Sequence, residues 1–229
     1  MLLMLFIPYI FSFSIGVISA ILIALILTWL IWFGRLTRKK RIFNAALSTG
    51  VTVVSVLMIM VIFFRNNPLF SRIGNFFIGK DTSGKGRTSD AFILADKILD
   101  KGNEYWGIGA GQIKILGANI IQDYYLYYKD FTAVIPNSTA ETLAVFGWIG
   151  FSLRFFIEIF LFFYTKVWTN YYRLLLFFFM FIYQFTGSFI TNVAEYVIWI
   201  LAFTNVFNQF DVKADKSIRS KWHLQQQVL

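Results

Sequence analysis

Thr139-Ala-Glu141-Thr-Leu-Ala-Val-Phe-Gly147-Trp-Ile-Gly150-Phe-Ser-Leu-Arg154-Phe-Phe-Ile-Glu158-Ile-Phe-Leu-Phe-Phe-Tyr164 is an almost unbroken apolar stretch that is long enough to cross a hydrocarbon layer. Its apolar positions run on instead of alternating. In lipid every backbone polar group must be satisfied within the segment, so a continuous run of this kind predicts a helix and not a barrel strand. Two further apolar runs follow, roughly Tyr172 to Ser188 and Val193 to Phe210. Two precede it, 14 to 33 and Ile42 to Phe64, giving about five predicted spans in all. The stretch from Met1 to Phe33 would form a helix of about 50 Å against a core of about 30 Å. Pro8 and Ser12-Phe-Ser14-Ile-Gly16 are the available breakers, so residues 1 to 11 read as a partial helix. Met1 leads into Leu2-Leu-Met-Leu-Phe6 without a basic region or a small-residue cleavage site, so this run reads as a membrane segment and not a signal peptide.

Composition agrees. With 58% hydrophobic, 20% aromatic and 14% charged residues, the chain is more apolar than a soluble domain of 229 residues can bury. The predicted fold class is all-α: a polytopic helical membrane protein with a large extracytoplasmic loop containing short helices. Residues 1–64 hold the partial helix and two spans, 65–138 the loop, 139–210 three spans, and 211–229 a tail. The net charge of +9 does not mark a nucleic-acid partner, because the basic residues sit at the ends of apolar runs, where they orient helices and meet anionic lipid. The 35–41 loop, Lys166 with Arg173, and Lys213, Lys216, Arg219 and Lys221 in the tail fall on one side by parity. The positive-inside rule makes that side cytoplasmic. The loop from Arg65 to Pro136 then faces outward, its nine basic residues interspersed with seven acidic ones. The chain has no cysteine, and so no disulfide framework, thiolate nucleophile or cysteine metal site.

Within the outer loop, Ser89-Asp90 reads as the cap of an amphipathic helix that Gly102 ends, with Phe92, Ile93, Ala95, Ile98 and Leu99 on its apolar face. Asp96 and Asp100 share the opposite face and are spaced to hold a divalent cation with water, but a solvated face with Lys97 and Lys101 nearby accounts for them better. Tyr124-Tyr-Leu-Tyr-Tyr128 and Trp106 have the character of interfacial anchors, or of stacking platforms for sugar rings. Gly79-Lys-Asp-Thr-Ser-Gly84-Lys85-Gly86 imitates a phosphate loop, but Gly86 stands where a magnesium-binding Ser or Thr is required. Gly107-Ile-Gly109-Ala-Gly111 lacks the strand-turn-helix context of a dinucleotide fingerprint and reads as a tight turn.

Taken in order, Ser83-Gly-Lys-Gly-Arg87, the amphipathic helix, Tyr105-Trp-Gly-Ile-Gly-Ala-Gly-Gln112 and Pro136-Asn-Ser-Thr-Ala-Glu-Thr-Leu-Ala-Val-Phe-Gly147-Trp-Ile-Gly150 resemble the O-antigen ligase and Wzy-type O-antigen polymerase family of bacterial membrane glycosyltransferases. In that family a Gly-Arg motif leads a large periplasmic loop, a Gly-x-Gly-x-Gly turn follows, and a His-Asn motif precedes a helix carrying Gly-x-x-Gly. The resemblance covers residues 83 to 150 and is looser elsewhere. It implies transfer of a glycan from undecaprenyl diphosphate on the outer face of the inner (cytoplasmic) membrane, to a second carrier-linked repeat in a polymerase or to a lipid A core in a ligase. It implies no cofactor and, for the ligases, no metal, and a flippase and a chain-length regulator as partners beside the lipid bilayer. It also implies that the chain is the C-terminal portion of a longer enzyme, since family members carry more spans.

A lipid diphosphate leaving group calls for an arginine that pairs with phosphate oxygens, and Arg87 matches the motif position. Arg65 and Arg72, near the membrane boundary, are supplementary candidates. Gly107, Gly109 and Gly111 would shape the substrate turn, with Asn137 on the acceptor side. Pro136 replaces the family's histidine, and His223 lies in the cytoplasmic tail. Glu141, one turn after Asn137, is then the candidate general base or oxocarbenium stabiliser, with capping or arginine pairing as its structural alternative. Arg154 and Glu158, spaced i,i+4, read as a structural ion pair; on a straight helix Arg154 lies about 220° from Glu141, so the pair does not extend its face. Glu195 with Asn192 would line a cleft or be buried against another helix. The competing function class is a non-catalytic transport or partner subunit in which these residues only shape the loop.

Overall fold

A computed structural model describes residues 15–36, 82–124, 134–187 and 190–211. Among them the chain is helical, with no strand. Seven α-helices follow in order: α1 (Ile15–Leu36), α2 (Thr82–Arg87), α3 (Ser89–Leu99), α4 (Ala118–Tyr124), α5 (Ser138–Tyr164), α6 (Tyr171–Tyr183) and α7 (Val193–Phe203). Residues 1–11, the basic loop beyond Leu36, the span from Ile42, Arg65, Arg72, Tyr125–Tyr128 and the tail with His223 lie outside the described residues.

α1 packs along α6, and α6 along α7. Gly16 near the start of α1 meets Thr186 just beyond the end of α6, where an added Cβ would lie 3.2 Å from the Thr186 carbonyl oxygen. The two helices are therefore antiparallel. At the opposite end Arg173, in the first turn of α6, donates to the carbonyls of Thr165 (2.9 Å), Ala202 (2.9 Å) and Phe203 (3.0 Å). These carbonyls close α5 and α7, so one buried guanidinium satisfies two helix C-termini. Asn170 joins the same end to Asp211 at 2.8 Å. Between the ends, Leu174, Phe177, Met180, Trp199 and Ala202 form an apolar core.

A second core lies under the polar loop. Ala91, Leu94, Ala95, Ile98 and Leu99 of α3 pack on Ala140, Leu143, Ala144 and Val145 of α5. The amphipathic helix is present, but its buried face is rotated from the one predicted: Ile93 is exposed and Phe92 half-buried, while Leu94 and Ala91 are buried. The reason lies at Thr88, where φ −108° and ψ −94° break α2 from α3. Thr88, not Ser89-Asp90, precedes the helix, and its hydroxyl turns back to the Gly84 carbonyl at 2.9 Å. The helix ends at Leu99, ahead of Gly102, with the Gly102 N–H bonding the Leu99 carbonyl.

By length and composition α5, with 27 residues, is the one helix among those described that is long and apolar enough to cross a membrane. It is not straight. Gly147 takes φ 64° and ψ −167° in its middle. Arg154 bonds the Thr142 hydroxyl at 2.7 Å and the Ser138 carbonyl at 3.3 Å. A straight helix would hold those partners about 18 and 24 Å away along its axis, beyond any arginine side chain. The chain therefore folds back at Gly147, and an arm of 138–146 lies against an arm of 148–164. The straight-helix angle between Glu141 and Arg154 fails for the same reason. α6 and α7, at 13 and 11 residues, are also shorter than the predicted runs. The chain between them, with Gln184 and Ile190, is non-helical and meets the start of α5.

Candidate functional site

The fold-back at Gly147 is held by the glycine turn. In an unbroken helix the Ala144 and Val145 carbonyls would accept from the N–H groups of Trp148 and Ile149. Here they accept from Ile108 (3.1 Å) and Gly109 (2.9 Å), while Trp148 and Ile149 donate to the carbonyls of Glu104 (2.9 Å) and Tyr105 (3.1 Å). Residues 104–109 thus cap the C-terminus of one arm and the N-terminus of the other, answering four orphan groups. Gly107 (φ 70°) and Gly147 are required at the crossing: a Cβ on either would lie 2.4 Å from the backbone of the other segment, at Val145 or Tyr105. Gly109 and Gly111 also have positive φ, but Gly111 faces open space. The turn is therefore a structural clasp, and its glycines serve any substrate site by fixing the helix break.

Asn137 makes the second junction. It is fully buried and caps the first arm of α5, its Oδ1 accepting from the Ala140 N–H at 2.9 Å. Its amide hydrogens go to the carbonyls of Arg87 (2.8 Å) and Phe185 (2.7 Å). One side chain joins the Gly-Arg motif, the start of α5 and the α6–α7 connection, and with both hydrogens used it acts by positioning. The Gly84–Arg87 stretch is helical, as part of α2. The Arg87 side chain is exposed and makes no ion pair among the described residues; its Nη1 lies 3.6 Å from where a Cβ on Gly187 would stand.

Glu141 is half-buried in the first turn of α5, and its Oε2 accepts from the Ile190 N–H at 2.8 Å. The Arg154–Glu158 pair is present at 3.1 Å and is larger than sequence spacing indicated. Arg154 also binds Glu195 of α7 at 2.6 Å, and Glu158 accepts from Gln184 Nε2 at 3.0 Å. Glu195 is thus buried against another helix, and Asn192 caps α7 through the Ala194 N–H. Of the two readings of Glu195, burial against another helix is the one that holds; Gln184 was not singled out, because its pairing with Glu158 joins residues 26 apart in sequence.

At the end of α4, Tyr124 is held protonated above the ordinary tyrosine range, first by desolvation, then by the negative charge of Asp90 and the hydrogen bond to it. Lys97 sits 5.0 Å over the Tyr124 ring. Asp96 and Asp100 are exposed, and among the described residues no acidic or histidine cluster forms a metal site.

No family model, curated protein or solved structure matches this chain. Chemically, the arrangement offers an exposed guanidinium with no ion pair among the described residues, a carboxylate anchored through one oxygen in the first turn of α5, and the buried Asn137 side chain joining the segments that carry them.

Proposed function

We propose that the chain is a multi-pass helical protein of the bacterial inner membrane that polymerises lipid-linked oligosaccharide repeats, taking a glycan from undecaprenyl diphosphate on the outer face. The observation that carries this reading is the Asn137 junction. It joins two motifs 50 residues apart by a 2.8 Å bond, and so sets the exposed Arg87 beside the start of the helix that bears Glu141. Exposed apolar side chains on three helices support a lipid setting: Leu22, Ile26 and Leu30 on α1, Leu153, Phe156 and Phe160 on α5, and Val197 and Ile200 on α7. A broken helix and a non-helical α6–α7 connection are tolerated at membrane depth when protein buries them.

In this mechanism the acceptor hydroxyl oxygen attacks the anomeric carbon and the bond to the diphosphate oxygen breaks. Its electron pair leaves on the diphosphate, whose growing charge Arg87 meets with paired N–H donors. Glu141, held through one oxygen by Ile190, takes the hydroxyl proton on the other. Transfer to a lipid A core, the ligase-type reaction, would use the same groups. A non-catalytic transport or partner role is favoured by one observation, the complete use of Asn137 in internal bonds. Cells lacking the chain and complemented with Arg87→Ala should display single repeats in place of long surface polysaccharide. A normal chain-length distribution in those cells would refute the polymerase reading.

A further inference from the structure

The chain between α6 and α7 is tied to the start of α5 at three points. The Gln184 carbonyl accepts from the Thr139 N–H and hydroxyl, both at 3.2 Å, and the Phe185 carbonyl accepts from Asn137 at 2.7 Å. The Ile190 N–H donates to Glu141 at 2.8 Å, while the Ile190 carbonyl accepts from the Tyr196 hydroxyl of α7 at 2.7 Å. Gly187 lies between these ties, which hold its backbone beside Asn137 and Glu141.

Arg87 meets the connection at Gly187. A Cβ built on Gly187 would stand 3.6 Å from Arg87 Nη1, 4.0 Å from Arg87 Cδ and 3.8 Å from Tyr183 Cε2. The arm of Arg87, from Cδ to the guanidinium, therefore lies along bare backbone. Nothing in the conformation demands a glycine at this place. Among the described glycines, positive φ belongs to Gly107, Gly109, Gly111 and Gly147, not to Gly187. A Cβ there would make only ordinary van der Waals contacts. A glycine that the backbone does not need costs conformational entropy on folding. What the missing side chain leaves is room for Arg87. A β-branched side chain would fill two of the three staggered directions at Cβ, with Arg87 and Tyr183 as the neighbours. Asn137 holds the Arg87 carbonyl at 2.8 Å, but the arginine side chain is long and flexible, so the guanidinium gives way first.

We infer that Gly187 is the positioning residue of Arg87: its bare backbone seats the guanidinium on the α6–α7 connection, and a side chain reaching beyond Cβ displaces it. Its role toward substrate rests on the reading of Arg87 as the group that meets the lipid diphosphate; the seat itself does not. Through Gly187 and Ile190 one connection then holds both the guanidinium and the Glu141 carboxylate.

The test uses the full chain in liposomes. Three quantities are read on each variant: phenylglyoxal labelling of Arg87 resolved by peptide mass spectrometry, binding of a polyprenyl-diphosphate-linked repeat, and the thermal midpoint. Gly187→Ala should match the parent in all three. Gly187→Val should keep the midpoint, label faster at Arg87, and bind the repeat about tenfold more weakly, as loss of a charge-assisted contact does. Arg87→Ala should weaken binding at least as much, and Gly187→Val should add nothing to it, since a positioning residue acts only through the group it positions. Gly187→Asp, whose carboxylate would pair with the guanidinium, should slow the labelling and weaken binding, and it decides if Gly187→Val does not fold. Labelling at the parent rate in both Gly187→Val and Gly187→Asp would overturn the proposal. So would a Gly187→Ala as damaged as Gly187→Val, or an added loss in the double variant. A parent chain that does not bind the repeat removes the glycan reading alone, because Arg87 labelling in the variants still decides the seat.

Discussion

Gly147→Ala attacks the point on which the arrangement of α5 turns. Its φ of 64° and ψ of −167° lie in a region open essentially to glycine alone, so an alanine there costs about 1–3 kcal/mol in backbone strain. Its Cβ would also lie 2.4 Å from the Tyr105 carbonyl and 2.6 Å from the Glu104 oxygen. Those are backbone atoms, so relief requires the clasp to move. Moving it gives up four backbone hydrogen bonds, each worth about 0.5–1.5 kcal/mol net. Even at the low end of both terms the folded-back state loses about 3 kcal/mol, a shift of more than 100-fold. Gly111→Ala is the control: its φ is 79°, but a Cβ there meets nothing within 4 Å, leaving about 1–2 kcal/mol of left-handed strain. The chain has no cysteine, so spin labels can be placed uniquely at Lys101 and Ser152, both exposed. Dipolar spectroscopy should give a narrow distance distribution for the parent and for Gly111→Ala, and a broad or displaced one for Gly147→Ala. A narrow, unshifted distribution in Gly147→Ala would refute the clasp.

Asn137→Ala should lower stability by about 2–4 kcal/mol through the loss of three internal hydrogen bonds, read as a fall in thermal midpoint. Asn137→Asp should be as damaging, because a carboxylate keeps the cap but cannot donate to the Arg87 and Phe185 carbonyls. Arg173→Met strips donors from the carbonyls of Thr165, Ala202 and Phe203 and should cost at least about 3 kcal/mol in denaturant unfolding. Because the folded pKa of Tyr124 is raised, its contribution is intact below the unfolded value of about 10 and is lost as pH rises through the folded value. Alkaline titration should therefore weaken the parent more steeply than Tyr124→Phe, and parallel curves would contradict that assignment.

Helices were legible because hydrophobic runs and the amphipathic pattern around Ala95 and Ile98 leave little choice of local structure. The fold-back was not legible, because Gly147 inside an apolar run also fits close packing of a straight helix. Its conformation depends on Glu104 to Gly109, about 40 residues upstream, supplying backbone partners, and no periodicity encodes that pairing. The bonds from Arg154 to Thr142 and Ser138 were illegible for the same reason, since they form only when α5 doubles back. Arg87 and Asn137 were singled out by motif order, and the structure joins them through a backbone carbonyl, a contact that side-chain chemistry alone does not predict.

Purified chain in liposomes, supplied with a polyprenyl-diphosphate-linked repeat and read for chain length, addresses the proposed activity most directly. The parent should yield a ladder of products, and Arg87→Ala should yield none while keeping the thermal midpoint of the parent, since its guanidinium is exposed and makes no ion pair among the described residues. An identical ladder from Arg87→Ala, or no product from the folded parent, would contradict the account.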